Sequence, residues 1–531
     1  MTTLPHILAL LLGVLPLWLL WPRDGREQNS PGDFRLGGRP ASEWFLLLSL
    51  GFPVGASLLG LSYFALLTLG VESSIAPIAV VAVLGGLCWL VRAPNAESAM
   101  VEEADPSDGT ANAPSPQNGW ARAFSGNWIL ALIATVAVGG VCAAVAGILE
   151  KSPHGAWDSW AIWSLRAKFF AAGAGFWENA VDPGFRMSHP EYPVLLSSYL
   201  GWAWRLTGSD AAGVPQGAAF AFLLSLIGLV GAGVSLLRRS SLGWMAIPVL
   251  LSPIVMVTVP ASLYADLPMG VLSLSCAVVL LLGVARSGDP RQFAIAGVLA
   301  AMCAWMKEEG LLHLLVLGLM AAAFSVGLRA RVPGWWKSAL SFAAGALPLG
   351  FLLWWFRIAF APPSATRFAE SAVRSGSGST GLLSRALDLT RYGEIFEQLW
   401  ALLGTLGDFW THPFLLLLAT VLLLGSRREQ RRGPVFLVSA ATLGFLWAGY
   451  LASFVLLSGR PGSVLAASLH RIWLHTWPLL VVTVFLAVDA PEDHAVSPSA
   501  AKRPITKPED AGREATSAPR EARSSKKGRS R

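Results

Sequence analysis

Apolar runs such as Leu4 to Trp21, Trp128 to Leu149 and Leu263 to Ala285 set the terms for this chain. Each is close to the roughly 20 residues needed to cross a hydrocarbon core about 30 Å thick. Composition agrees with them: 54% of residues are hydrophobic and 14% charged, against about 25% charged in soluble domains. Too few charges are present to coat several soluble domains, so the 531 residues read as a multipass helical membrane protein.

Spans are expected near 4–22, 42–70, 75–91, 127–149, 211–237, 241–259, 263–285, 291–306, 310–328, 338–359, 411–425, 434–457 and 472–488. The fold class is therefore all-α, a polytopic transmembrane bundle of about thirteen spans. Residues 93–126 form a polar linker, which sets the first three helices (1–126) apart from a module over 127–488. A second polar, Gly/Ser-rich stretch runs from about Pro362 to Tyr392. Residues 489–531 form a Pro/Ser/Lys/Arg tail too poor in apolar residues to pack, for which disorder and a cytoplasmic location are expected. No fixed-period repeat is visible.

Orientation follows from where Lys and Arg fall. With the N-terminus outside, 27 of the 40 lie in inner segments and the tail. Treating Tyr192 to Leu206 as a further span changes the division to 25 inside and 15 outside, so charge alone barely decides. Length says more: those residues reach only about 22 Å as a helix, short of the roughly 30 Å required. Trp202, Trp204 and Arg205 also suit an interface better than a bilayer centre. A helix lying on the outer face is expected there.

The net charge of +7 sits in short loops and the tail, where topology and membrane-surface attraction account for it without nucleic acid. Cys88, Cys142, Cys276 and Cys303 all fall inside apolar runs and read as buried free thiols. Met1 to His6 lacks a basic n-region and no small-residue cleavage site follows, so the first helix is expected to be retained.

Under that topology the unusual polar groups gather at the outer mouths of helices. Trp157-Asp158-Ser159-Trp160 opens a segment in which Trp160, Trp163, Ala167 and Phe170 recur at helical spacing, as in an interfacial helix with an aromatic face in lipid. Asp158 could equally be the N-cap of that helix. Two prolines stiffen Ser188-His189-Pro190-Glu191-Tyr192-Pro193, which presents His189, Glu191 and Tyr192, or merely shapes a helix entry. Tyr264-Ala265-Asp266-Leu267-Pro268 opens a helix that Asp266 could simply cap. Lys307-Glu308-Glu309 interrupts an apolar hairpin, where three charges are costly unless they meet water, each other or a ligand. His470-Arg471 precedes the last helix, and Arg367 and Arg374 follow Phe360.

Taken in order along residues 127–488, these segments resemble the GT-C superfamily of integral-membrane glycosyltransferases, in the branch of protein O-mannosyltransferases and lipid A aminoarabinose transferase. The matching elements are the first-loop Trp157-Asp158-Ser159-Trp160, His189-Pro190-Glu191-Tyr192-Pro193, the helix start at 264–268, and Lys307-Glu308-Glu309-Gly310. His189-Pro190-Glu191-Tyr192 lacks the second proline that relatives often carry, and residues 1–126 have no counterpart in the family core. The resemblance implies interfacial helices in the first large outer loop, and transfer of a hexose or pentose from a polyprenyl-phosphate carrier. The acceptor would be a lipid, glycan or protein on the non-cytoplasmic face, here the periplasmic side of a bacterial inner membrane. Asp158 matches the acid that acts on the acceptor.

Chemistry supports the same grouping. An acceptor hydroxyl needs a base, for which Asp158 is the candidate, and a departing phosphate needs cations. Lys307 and Arg471 are expected in that role, with Arg166 and Lys168 behind them. His189, Glu191, Tyr192, Tyr264, Asp266, Glu308 and His470 are expected to line the substrate site. The sequence establishes no cofactor, but Asp158, Glu191 and Asp266 could supply oxygen ligands to a divalent ion such as Mg or Mn, although no spacing compels it. A transporter or flippase of lipid-linked sugars would use the same charges to move a head group, and a scaffold without chemistry would leave them unexplained.

Overall fold

The computed structural model describes residues 2–22, 35–36, 39–91, 127–329, 334–362, 378–406, 412–457 and 460–492. The polar linker, Arg367, Arg374 and the tail beyond residue 492 lie outside them. Pro491 begins a separate unit, of which only Pro491 and Glu492 are among the described residues.

The described chain is helical apart from two antiparallel two-residue strands, β1 (Arg35–Leu36) and β2 (Arg39–Pro40). The helices are α1 (Leu4–Leu20), α2 (Ala41–Thr68), α3 (Ala76–Val91), α4 (Trp128–Lys151), α5 (Ser164–Ala172), α6 (Leu195–Thr207), α7 (Gly213–Leu237), α8 (Ser240–Leu250), α9 (Val255–Ser262) and α10 (Asp266–Ala285). They continue as α11 (Pro290–Met306), α12 (Gly310–Leu328), α13 (Trp336–Ala359), α14 (Gly378–Leu387), α15 (Leu389–Thr405), α16 (Pro413–Leu424), α17 (Arg428–Arg432), α18 (Pro434–Leu456) and α19 (Pro461–Ala487). Every apolar run forms helix, and α2, α4, α7, α10, α12, α13, α18 and α19 are long and apolar enough to cross a membrane. The run at 241–259 is two helices, α8 and α9, bent by 70°. Pro253 sits in the break and withholds a backbone donor there. α1, α16 and the apolar part of α3 are shorter.

α10 is the axis of the bundle. Its apolar window is wholly buried, so a hydrophobic surface all round is matched by packing all round. α2, α7, α11, α12, α18 and α19 surround it. α4, by contrast, leaves Trp128, Leu132 and Val136 exposed, as a helix facing lipid does.

Three sequence expectations are corrected. α6 does not lie on a surface: Leu195 to Trp204 are all buried, Trp202 donates to the Ser74 carbonyl and Trp204 to the Ala211 carbonyl. Likewise the stripe Trp163, Ala167 and Phe170 is buried in protein rather than lipid, and only Trp160, beside Trp157, is exposed. Burial of both elements follows from their packing on each other and of α6 on α2. Finally, the polar stretch ending near Tyr392 contains α14 and the start of α15, whose Leu389, Phe396 and Trp400 are exposed.

Candidate functional site

Asp158 enters through a tight approach of two loops. Gly155, at φ +70°, brings its Cα against the Ser262 carbonyl, where a Cβ would collide, and Ala156 N–H donates to that carbonyl at 3.1 Å. The helical run then widens into a π-helical turn at Ser159–Trp163, a distortion frequent at functional sites. Asp158 makes no capping bond with its side chain. Its Oδ2 instead accepts from Arg471 at 2.5 Å across 313 positions of sequence.

Arg471 lies within α19, which begins at Pro461 rather than near residue 472. Its guanidinium carbon stands 5.4 Å from the Tyr264 ring centroid, within cation–π range, and its Nη1 is 4.0 Å from Asp266 Oδ2. Its Nε has no hydrogen-bond partner among the described residues. Burial, helped by the Asp158 carboxylate, pushes the Tyr264 phenol up.

Asp266 occupies the first turn of α10, where the helix dipole favours an anion. It is 1% exposed and accepts from Lys307 Nζ at 3.0 Å and His475 Nε2 at 3.1 Å. Lys307 ends α11 in extended conformation. Gly310 then turns the chain back so closely that a Cβ would strike the Cys303 carbonyl. Lys307 also pairs with Glu309 at 3.0 Å. Burial works against its charge, but Asp266 and Glu309 outweigh this and hold the ammonium above its ordinary pKa. The three charges of the turn thus meet partners, which resolves their cost.

Tyr192 and Glu191 approach the same turn. The Tyr192 phenol is pushed up, chiefly by burial and then by Glu309. Glu191 accepts from His189 Nδ1 at 2.9 Å. Burial raises its carboxyl, yet the bond from His189 and the neighbouring charges prevail and leave it below its ordinary value. His189 is held at φ 49° with its ring stacked on Tyr192, centroids 4.6 Å apart. Glu308 pairs with Arg357 at 3.5 Å, and burial pushes its carboxyl up. His470, beside Arg471, is partly buried.

Two expected cations are elsewhere. Arg166 is fully buried and spends its donors on the carbonyls of Ala180, Tyr192 and Pro193. It therefore clamps the Glu191–Pro193 segment. Lys168 is exposed and pairs with Asp210 at 3.0 Å. The oxygen-ligand trio also fails to form. No group of three metal-capable side chains occurs among the described residues, and Arg471 stands between Asp158 and Asp266.

His475, Tyr450, His313 and Arg357 were not anticipated. His475 could have been found as the residue one helical turn beyond Arg471, hence on its face. Tyr450 and His313 gave no signal, being single polar residues inside apolar runs. Among known proteins no family model matches the chain, and no curated protein and no solved structure is similar to it.

Proposed function

We propose that the protein is a membrane glycosyltransferase of GT-C type, with about thirteen membrane segments when the shorter apolar helices are included. It moves a sugar from a polyprenyl-phosphate carrier to an acceptor on the non-cytoplasmic face, the periplasmic side of a bacterial inner membrane. The observation that carries this reading is the convergence of Asp158, Arg471, Asp266 and Lys307 from four remote parts of the chain. In the reaction, the acceptor oxygen attacks the anomeric carbon from the face opposite the phosphate. The carbon–oxygen bond to phosphate breaks, its electrons stay on the phosphate, and the acceptor proton passes to Asp158. One attack inverts the anomeric centre.

The pairing of Asp158 with Arg471 gives this scheme an order. While Arg471 donates to Asp158 Oδ2, that oxygen is occupied and not free to receive the acceptor proton. A donor phosphate that engages Arg471, including its unpartnered Nε, competes with Asp158 and frees the carboxylate to accept a proton. Lys307 and Arg471 then stabilise the departing phosphate.

The test is release of polyprenyl phosphate by the purified protein given a polyprenyl-phosphate sugar and candidate acceptors. Asp158→Asn should lower release by about 10²–10⁴-fold while donor binding persists. Unchanged turnover would remove Asp158 from the mechanism.

The bent pair α8–α9 favours a second reading, transport of a lipid-linked sugar, since many secondary transporters bind substrate at discontinuous helices. Here, however, the Leu250 carbonyl at the break accepts from Trp477 Nε1 at 2.8 Å, so it is already engaged. Movement of labelled donor across vesicles without release of polyprenyl phosphate would establish transport instead.

A further inference from the structure

A chain of buried polar side chains leads from Asp266 into the bundle and returns to the same helix. His475 Nε2 is 3.1 Å from Asp266 Oδ1, and its Nδ1 is 3.0 Å from the Tyr450 hydroxyl. That hydroxyl is 2.8 Å from His313 Nε2, and His313 Nδ1 meets the Ser273 hydroxyl. None of these five side chains is more than 3% exposed. Asp266 and Ser273 lie two turns apart on α10, about 10 Å along its axis, so the chain joins α10, α19, α18 and α12 in a closed circuit.

The positions of the protons follow by counting. Asp266, bonded to Lys307, offers only acceptor oxygens when ionised, so the hydrogen between it and His475 belongs to Nε2. The Tyr450 oxygen stands between two imidazole nitrogens and has one hydrogen to give. Donated to His475 Nδ1, that hydrogen makes His475 a neutral Nε2–H imidazole. His313 must then donate from Nε2 to the phenol oxygen, and its bare Nδ1 accepts from Ser273. Every donor finds one acceptor. A second proton on His475 would direct Nδ1–H at the phenol oxygen and reverse each bond beyond it. The Ser273 hydroxyl would then lose its imidazole acceptor. Buried polar groups left without a partner cost about 1–3 kcal/mol each.

We infer that Tyr450, His313 and Ser273 are positioning residues that keep the Nδ1 of His475 bare, so that the ring stays a neutral Nε2–H donor to Asp266. The inference is independent of the group transferred, because it concerns only how the acid between Lys307 and Arg471 is held.

Nitrogen-15 NMR of full-length protein labelled at histidine, in lipid nanodiscs, reads tautomers directly, with His475→Gln and His313→Gln assigning the signals. The expected result is a protonated Nε2 and a bare Nδ1 on both residues. Tyr450→Phe, which keeps the ring, should shift the His475 Nδ1 and His313 Nε2 signals at the broken bonds and let a second proton populate His475 Nδ1, while the Nε2–H bond to Asp266 persists. Two protonated nitrogens on wild-type His475, a bare Nε2, or a His475 spectrum unmoved by Tyr450→Phe would each overturn the inference. Should that variant not fold, the wild-type tautomer decides alone.

Discussion

Lys307 shows how single residues divide between stability and function. Its side chain is 8% exposed and its ammonium holds Asp266 at 3.0 Å, so Lys307→Ala leaves a buried carboxylate without its main counter-charge. Breaking such a pair costs about 3–5 kcal/mol. Replacing both partners by apolar residues of similar size, Asp266→Leu with Lys307→Met, removes the desolvation cost of the two charges but leaves His475 Nε2 and Glu309 without these partners, so it should recover only part of that loss. Thermal unfolding in nanodiscs should place the double variant between wild type and Lys307→Ala, while both variants lose the proposed transfer activity. Equal stability of Lys307→Ala and wild type would mean that the pair carries no structural role. Glu191 makes a pH-dependent contribution. Its carboxyl is held below its ordinary value of 4.5, so its stabilisation is complete above that pH and is lost as pH falls through the lowered value. His189→Gln should therefore cost about 1 kcal/mol near neutrality, given the half-exposed ring, and progressively less below pH 4. Unfolding curves of the two proteins that stay equally separated as pH falls would contradict the assignment.

At the scale of elements, the break between α8 and α9 depends on a side chain from α19. Trp477 is fully buried and supplies the hydrogen bond that the Leu250 carbonyl cannot obtain within its own helix. Trp477→Phe keeps most of the packing and orphans the carbonyl, for an expected loss of about 1–3 kcal/mol. Hydrogen exchange should rise first at Leu251 to Val255, and an increase spread evenly over the bundle would argue against a local role. The bend also marks where sequence reading reaches its limit. Hydropathy sees Ser241 to Val259 as one apolar run, because hydropathy averages over direction and a proline alone does not say whether the chain kinks or turns. The same averaging hid the fate of Trp163 and Trp202: periodicity identifies an aromatic face but not whether lipid or protein covers it. Asp158, Tyr264, Asp266, Lys307 and Arg471 were legible because a polar residue at the edge of an apolar run is costly and therefore conspicuous. His313 and Tyr450 lie within such runs as single residues, and only the folded bundle reveals that each satisfies the other. Arg166 misled for a related reason: a cation near a candidate site can as readily stitch carbonyls as bind phosphate.

For the whole molecule, α10 fixes the separation of two polar levels. Its 20 residues span about 30 Å, with Asp266 and the acid–base cluster at one end and Arg286 near Glu43 at the other. α19 repeats the geometry in reverse: from Arg471 it runs about 24 Å to its end at Ala487, just before the segment where Asp489 meets Arg427 and Gln430. The excess of Lys and Arg at the second level predicts that it faces the cytoplasm. Met187, 65% exposed and next to the His189 segment, and Glu429, exposed on α17, report on the two levels. In protein with Cys88 and Cys142 changed to alanine, Met187→Cys should react with an impermeant thiol reagent added to intact cells, while Glu429→Cys should react only after the membrane is opened. The opposite pattern would turn the molecule over and put Asp158 in the cytoplasm, where a carrier lipid presenting its sugar outside could not reach it. Labelling of both sites from outside would instead break the link between the length of α10 and the thickness of the bilayer.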